Sequence, residues 1–319
     1  FEFIESERNN VALTYFEFST LAALWIFETL LVQVRILEVG LGGRLDAVNI
    51  ISPDVAVVTS IALDHEFWLG STTTEIAIEK LGIARNNKPL IWGERSSDEL
   101  DRLLIPTGAV LFRLGIEFDI STKNSDFAVS CSAGNINFCV SGLLGDSGFA
   151  ENKAIALQSL LAGGVPLDSN TCRLALSKLE LVGRFQRTSI GDVSIILDVA
   201  HNPAAATLLA KRLSSLGGSL FAVASVLEDK DWTGITAPLS KLVSYWYVAQ
   251  IHDSSRATDA QKLRGNLIAR GLKSDYFSSL ENAFLAAYEK AIAGDTIVAF
   301  GSFHVVASIL TFIARWQEG

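Results

Sequence analysis

The second half of the chain alternates short β-branched segments with helical segments, and no other feature of the sequence constrains the fold as strongly. Segments 193–199, 220–226 and 296–300 are runs of mostly apolar residues, which is typical of buried parallel strands. Between them, segments 203–213 and 280–292 carry apolar residues at helical spacing. Because strands that alternate with helices form a parallel sheet covered on both faces, we predict a doubly wound, Rossmann-like α/β domain here.

The first half shows a weaker alternation that a β-rich stretch interrupts. From about 108 to 141, apolar and polar residues alternate, and Ala-Gly-Asn separates two such runs, which predicts a hairpin-rich insertion. The length of 319 residues suits two domains, and we place them at 1–186 and 187–319. The remaining predicted elements are strands 32–39, 54–60, 88–92, 244–249 and 273–277, and helices 75–85, 151–162, 168–179, 238–242, 259–270 and 305–316.

Composition excludes several classes of protein. The 26 basic and 35 acidic side chains give a formal charge of −9, which weighs against a nucleic-acid binder. No uninterrupted apolar run approaches the roughly 18 residues of a membrane span, so we expect no membrane partner either. The three cysteines are too few for a disulfide framework and lack the Cys-x-x-Cys spacing of a zinc site. A reducing cytoplasm fits this cysteine usage best.

Two groups of chemically able residues follow predicted strands in the first half. Glu38 precedes Gly-Leu-Gly-Gly, where glycine lets a ligand approach the backbone, and its carboxylate could hold a cation. Asp64 and His65 follow the next strand. Each group is equally compatible with an ordinary turn. The first also resembles the nucleotide-binding turn of methyltransferases, although Leu45 stands where the third glycine of G-x-G-x-x-G belongs.

The predicted strand ends of the second half carry similar residues. Asp198 ends a strand, His201 lies in the following turn, and Pro203 suits the first position of a helix. Ser302 and His304 follow another strand, at a helix start that could bind an anion. Since ligands of doubly wound sheets bind outside the carboxyl ends of the strands, these positions favour a nucleotide site.

Two basic residues are ambiguous on sequence alone. Lys80 lies inside a predicted helix and is most simply explained as a solvated surface residue. Arg184 lies near the predicted domain boundary, where its guanidinium could clamp a phosphate or form an interdomain salt bridge.

Nine short segments, taken together, resemble the dihydrofolate synthase/folylpolyglutamate synthase family of the Mur ligase superfamily. Each is weak alone, but all nine occur in the family's order. They are LTYFEFSTLAAL (13–24), LEVGLGGRLDAVN (37–49), SIALDHEFWLG (60–70), EKLGI (79–83), KPLIWGE (88–94), GRFQ (183–186), DVAHNP (198–203), EDKD (228–231) and GSFH (301–304).

The resemblance implies an α/β protein with a partial Mur-ligase-type central ATPase domain, a parallel sheet with the hairpin insertion, ahead of the Rossmann-like domain. It implies an ATP-dependent amide ligase that adds L-glutamate to dihydropteroate or to folates. A substrate carboxylate, a poor electrophile, attacks ATP to become an acyl phosphate, and the glutamate amine then displaces phosphate. Such sites work by positioning and by charge neutralisation with magnesium.

The same resemblance implies roles for individual residues. It makes Glu38, His65 and Lys80 ligands of two Mg²⁺ ions, with Lys80 carbamylated, and this replaces the surface interpretation of Lys80. The implied catalytic residues are Lys80, His65 and His201. The implied ATP contacts are Asn152, Arg184, Asp198 and His201, and the implied substrate contacts are Phe16, Asp46, Ser302 and His304.

The sequence departs from the family pattern in a few places. No Gly-Lys-Ser/Thr phosphate loop occurs in the 319 residues, and we expect one in a segment before Phe1. Glu66 and Phe67 replace a usual Thr-Asp, Val48 replaces a Thr, and Ala204 replaces a His. We expect these changes to alter the surroundings of the metal and nucleotide without removing a ligand.

Three other functions stay open on the sequence. They are a Mur-superfamily ligase acting on another acid, such as a cell-wall precursor, an S-adenosylmethionine-dependent methyltransferase, and a non-catalytic binding module without the phosphate loop. We expect the protein to be a monomer.

Overall fold

The computed structural model describes residues 1–123, 126–144 and 149–318 and divides into two compact units, Phe1–Ser177 and Lys178–Gly319. The boundary that we predicted, after residue 186, lies inside the second unit, where its first strand begins. No helix in the described ranges is both long and apolar enough to cross a membrane.

The first unit begins with helices and not with the predicted strand 32–39. Helix α1 is Glu2–Glu7 and helix α2 is Tyr15–Thr29, which starts at a capping box between Thr14 and Glu17. Residues 32–39 join none of the sheets described, and Val34 and Ile36 are 67% and 82% exposed. The prediction was wrong because β-branched composition favours a strand only where a neighbouring strand supplies hydrogen bonds.

A short parallel sheet forms the centre of the first unit. The elements are β1 (Ala56–Val58), α3 (Glu66–Leu69), α4 (Thr73–Leu81), β2 (Pro89–Trp92), α5 (Asp98–Leu104) and β3 (Val110–Arg113), with 3₁₀ turns at Ala47–Ile50 and Ile105–Thr107. The strands lie in the order β1-β2-β3, and the core of this sheet contains the buried side chains of Val58, Ala77, Leu90 and Trp92. The predicted strands 54–60 and 88–92 and the predicted helix 75–85 overlap β1, β2 and α4, respectively.

The predicted hairpin insertion is an antiparallel sheet in the order β4-β5-β6. Gly134 makes the tight turn at φ +58°, which glycine adopts without strain. The side chains of Ser169 and Arg173 donate to the carbonyls of Cys139 and Ser141, and this covers the outer edge of β6. The elements are β4 (Phe118–Lys123), β5 (Asp126–Ala133), β6 (Ile136–Leu144), α6 (Ala150–Ala162) and α7 (Ser169–Ser177).

The second unit is the predicted doubly wound domain. Its strands are β7 (Gln186–Ile190), β8 (Val193–Asp198), β9 (Leu220–Ala224), β10 (Val243–Ala249), β11 (Ser274–Phe277) and β12 (Thr296–Phe300). Its helices are α8 (Pro203–Leu213), α9 (Trp232–Thr236), α10 (Ala260–Ala269), α11 (Leu280–Lys290) and α12 (Phe303–Glu318). The six strands form one sheet in the order β11-β10-β9-β12-β8-β7, and all neighbours are parallel except the β7–β8 pair. Two apolar clusters of buried residues pack on the sheet.

The predicted helix 238–242 is the one element of this unit that was wrong. Residues 237–242 form turns, and the helix lies just before them as α9. Asp231 caps the start of α9 by accepting from the Gly234 amide. Pro238 has no N–H to donate back along the helix, so α9 ends before it.

Candidate functional site

The glycine-rich turn after Glu38 is organised by Asp46. One Asp46 carboxylate oxygen accepts from the amides of Gly40 and Leu41 at 3.0 and 2.9 Å, and the other accepts from Val48 at 3.0 Å. Phe16 lies against the same turn, where a Cβ on Gly40 would come within 2.8 Å of the ring. The structure therefore brings Phe16 and Asp46, both predicted substrate contacts, to one turn.

The same turn packs on the end of α4. The Arg44 amide donates to the Glu79 carbonyl at 2.8 Å, and the two side chains form an ion pair at 2.9 Å. A Cβ at Gly43 would lie 2.9 Å from the carbonyl of Lys80, so only glycine allows this approach. The glycines thus serve to bring the turn against the helix end that carries Lys80.

Lys80 is half-buried beside the loop that follows β1. Burial lowers the pKa of the Lys80 ammonium, and the negative charge of Asp64 opposes this. His65 follows Asp64 in the left-handed conformation at φ +53°, and its Nε2 lies 3.9 Å from an Asp64 oxygen. The loop therefore brings Asp64, to which we gave no separate role, close to the predicted ligand His65 and into electrostatic range of the predicted ligand Lys80.

A resident metal fits this corner only in part. Asp64 and His65 offer an oxygen and a nitrogen donor, and a carbamate on Lys80 would add two more oxygens. Glu38 is exposed on the segment that joins no sheet. Within the described ranges, no three His, Cys, Asp or Glu side chains lie close enough to hold a metal ion. The ligand role of Glu38, His65 and Lys80 remains a prediction.

Glu94, at the end of β2, is a residue to which the sequence analysis assigned no role. Its carboxylate accepts a short hydrogen bond from the Ile61 amide and so ties together the loops that follow β1 and β2. Burial raises the pKa of Glu94, the Ile61 amide opposes this, and the charge of Glu151 adds to it. The sequence signal for Glu94 was a carboxylate two residues after a predicted strand.

Asn152, the predicted adenine contact, is exposed in the first turn of α6 next to Glu151.

In the second unit, Asp198 closes β8 and is almost completely buried. Its two oxygens accept from the amides of Phe185 and Ala200, both at 2.8 Å. Burial raises the pKa of Asp198, while those amides and the charges of Arg212 and Arg184 lower it. Asp198 therefore fixes the backbone next to Arg184, whose side chain is exposed.

The turn between β8 and α8 orients His201. Its Nδ1 lies 2.8 Å from the Val199 carbonyl, so a proton on Nδ1 donates there and Nε2 becomes the acceptor of the neutral ring. Asn202 caps α8 by accepting from the Ala205 amide at 2.8 Å, and Pro203 occupies the first helical position, as predicted.

The ends of β9 and β12 meet at a glycine. Gly301 has φ +116°, and a Cβ there would come within 2.3 Å of the Ser225 carbonyl. Ser302 is buried and accepts from the Val305 amide at 3.2 Å, and His304 is half-buried on the first turn of α12.

Lys230, which sequence reasoning did not select, follows β9 with only 8% of its side chain exposed. Its Nζ pairs with Asp229 at 3.4 Å, and a cation this buried in the loop after a strand is a further candidate ligand contact.

Comparison with known proteins first defines the class. The family model described as Mur ligase, glutamate ligase domain matches residues 183–303, which cover most of the doubly wound sheet and its strand ends. Residues 183–303 thus match the glutamate ligase domain of the Mur ligase class, which agrees with the doubly wound domain that the sequence analysis predicted there.

More specific matches follow. The chain is 41% identical to the dihydrofolate synthase/folylpolyglutamate synthase of Escherichia coli (strain K12), a match that covers 99% of this chain and 73% of that protein. The structure matches E. coli FolC in complex with DHPP and ADP with a TM-score of 0.90 at 41% identity, covering 98% and 74% of the two chains. A bifunctional folylpolyglutamate synthase/dihydrofolate synthase with Mn, AMPPNP and L-glutamate bound matches at 0.87 and 38%, with the same coverage. The chain belongs to the dihydrofolate synthase/folylpolyglutamate synthase family, which confirms the family resemblance and decides against the methyltransferase.

Proposed function

We propose that the protein is an ATP-dependent ligase that adds L-glutamate to dihydropteroate, to folates or to both through an acyl phosphate. The observation that carries this is the 41% identity to the E. coli synthase across 99% of the chain. Solved relatives that hold ADP with DHPP, and AMPPNP with Mn and L-glutamate, support the nucleotide, the divalent metal and both substrates.

In the first unit, the residues around α4 would hold the metal. A divalent ion held there would supply positive charge to neutralise the phosphate oxygens of ATP. We assign its ligands to Glu38, His65 and Lys80. Burial favours the neutral Lys80 amine, whose nitrogen adds to the carbon of CO₂ and loses one proton to give a carbamate. Phe16 and Asp46 would contact the pterin side of the substrate from the glycine turn.

The second unit would contribute the other contacts. Arg184 is exposed on its turn, and its guanidinium would bind a phosphate of ATP. In His201, the hydrogen bond between Nδ1 and the Val199 carbonyl leaves Nε2 as the acceptor of the neutral ring. We place Ser302 and His304 at the end that binds glutamate. Asn152 of the first unit would contact adenine, and Asp198 would contact ATP.

Phosphate release on the full-length protein tests this function. Release that requires glutamate, ATP and magnesium, with dihydropteroate or with tetrahydrofolate, is the expected result. Release only with a nucleotide-linked muramyl acceptor would mean a different Mur ligase. No release with either acceptor would favour a binding module. Comparing the two folate acceptors decides whether both synthase activities are present.

Location in the cytoplasm, a monomeric state and the lack of nucleic-acid and membrane partners stay part of this proposal.

A further inference from the structure

Phe185 has a backbone conformation that a bulky residue seldom adopts. Its φ is +51°, in the left-handed region, and its side chain is 5% exposed. A non-glycine residue stays there only when the surrounding structure holds it against the unfavourable backbone conformation. The neighbouring Gly183 is also left-handed, at φ +68°. Arg184 therefore lies between two backbone positions of unusual conformation.

Backbone hydrogen bonds close the turn on both sides of Arg184. The Phe185 amide donates to Asp198 at 2.8 Å, and the Gly183 carbonyl accepts from the Val199 amide at 2.8 Å. The Arg184 amide itself donates to Leu181 at 3.1 Å. These bonds fix the direction in which the Arg184 side chain leaves the backbone.

The Phe185 side chain is held by a guanidinium. The Arg212 guanidinium carbon lies 3.8 Å from the centre of the Phe185 ring, and that of Arg187 lies 5.1 Å away. Arg212 comes from the last turn of α8, a helix whose buried face shares one apolar cluster with the Phe185 side chain. A planar guanidinium this close to an aromatic face is an attractive cation–π contact, and a lysine reproduces it poorly.

We propose that Arg212 is a positioning residue for Arg184: by stacking on Phe185 it keeps the turn left-handed and holds Arg184 where phosphate binds. The inference rests on the proposed function in one respect, because it takes ATP phosphate to be the ligand of Arg184. Its structural half, the hold of Arg212 on Phe185, is independent of any activity.

The test compares R212M, R212K and the control K211M, which removes an exposed cation from the neighbouring position of the same helix. We expect R212M to raise KM for ATP about tenfold, with a smaller change in kcat and in KM for glutamate. R212K should recover only part of the loss, and K211M should match the wild type. An R212M enzyme with the KM for ATP of K211M, or with the KM values for ATP and glutamate raised alike, would overturn the proposal.

Two further measurements separate this proposal from the proposed function. Exchange of the Phe185 amide proton should be faster in R212M than in K211M, and equal rates would refute the hold on Phe185 even in a protein without turnover. In the F185G background, where glycine adopts the left-handed conformation without the ring, R212M should change KM for ATP no further. Additive effects of the two substitutions would contradict the mechanism. Absence of wild-type phosphate release would refute the proposed function alone.

Discussion

At the residue scale, Lys80 shows most clearly how its surroundings set the chemistry of a side chain. Helical periodicity assigns it to a solvated surface, yet it is half-buried, and burial lowers the pKa of its ammonium group. A neutral amine is the form that reacts with CO₂. The negative charge of the nearby Asp64 carboxylate opposes that lowering of the pKa.

Replacing Lys80 with alanine should abolish glutamate-dependent phosphate release while the protein stays folded. Loss of a metal-binding carbamate should reduce kcat by about 10²-fold or more. Short-chain carboxylic acids should restore part of the activity, and bicarbonate should not. Lys88→Ala, which removes an exposed surface ion pair with Asp54, is the control and should keep full activity. Normal turnover in the Lys80 variant would contradict the carbamate role.

At the element scale, the loops after the strands are held by specific contacts between neighbouring strands. Glu94 joins the loops after β1 and β2, and Gly301 lets the ends of β9 and β12 approach each other. These contacts position the loops that carry the predicted ligands. Their loss should therefore affect both stability and the site.

Glu94 should make stability depend on pH. Because folding raises its pKa, the folded state binds the proton more tightly, and this stabilisation is present below the unfolded pKa and lost as pH rises through the folded value. Relative to Glu94→Gln, the wild type should lose unfolding free energy in urea titrations as the pH rises above about 4, the ordinary pKa of a glutamate. Glu94→Ala should be less stable than Glu94→Gln by about 1–2 kcal/mol, since the Ile61 amide loses its acceptor. Parallel pH profiles for wild type and Glu94→Gln would contradict the assignment.

Gly301→Ala should destabilise the second unit. The added Cβ meets the Ser225 carbonyl at 2.3 Å, and φ +116° is unfavourable for alanine, so we expect a loss of roughly 3 kcal/mol in urea denaturation. Gly265→Ala is the matched control. It lies within helix α10 with open space around its Cβ position, and it should gain about 1 kcal/mol. Equal stabilities of the two variants would show that the close approach is unimportant.

At the scale of the whole molecule, each unit presents candidate ligand residues at the carboxyl ends of its parallel strands. In the first unit these are the residues after β1 and β2, and in the second unit those after β8, β9 and β12. Parallel strands place these ends at one edge, which is where doubly wound folds bind ligands. The net charge of −9 makes a positive ion at such an edge more important for binding a triphosphate.

Removing divalent metal should therefore stop the reaction without unfolding the protein. We expect a chelator to abolish glutamate-dependent phosphate release, and Mg²⁺ or Mn²⁺ to restore it, with circular dichroism unchanged throughout. Mn is the ion bound in the solved relative with AMPPNP. Full activity in the presence of the chelator would rule out a metal-dependent mechanism.

The sequence by itself determined the α/β class, the doubly wound second unit and the family, because strand and helix periodicities and short ordered motifs are local properties of the chain. It also located α8 from helical spacing and Pro203, and the hairpin sheet from alternation around Gly134. Only the tertiary structure decided that residues 32–39 join no sheet among the described residues, that Glu94 bonds to Ile61, and that Arg212 stacks on Phe185. These features depend on contacts between residues far apart in the chain, and local composition carries no record of which distant group will be available.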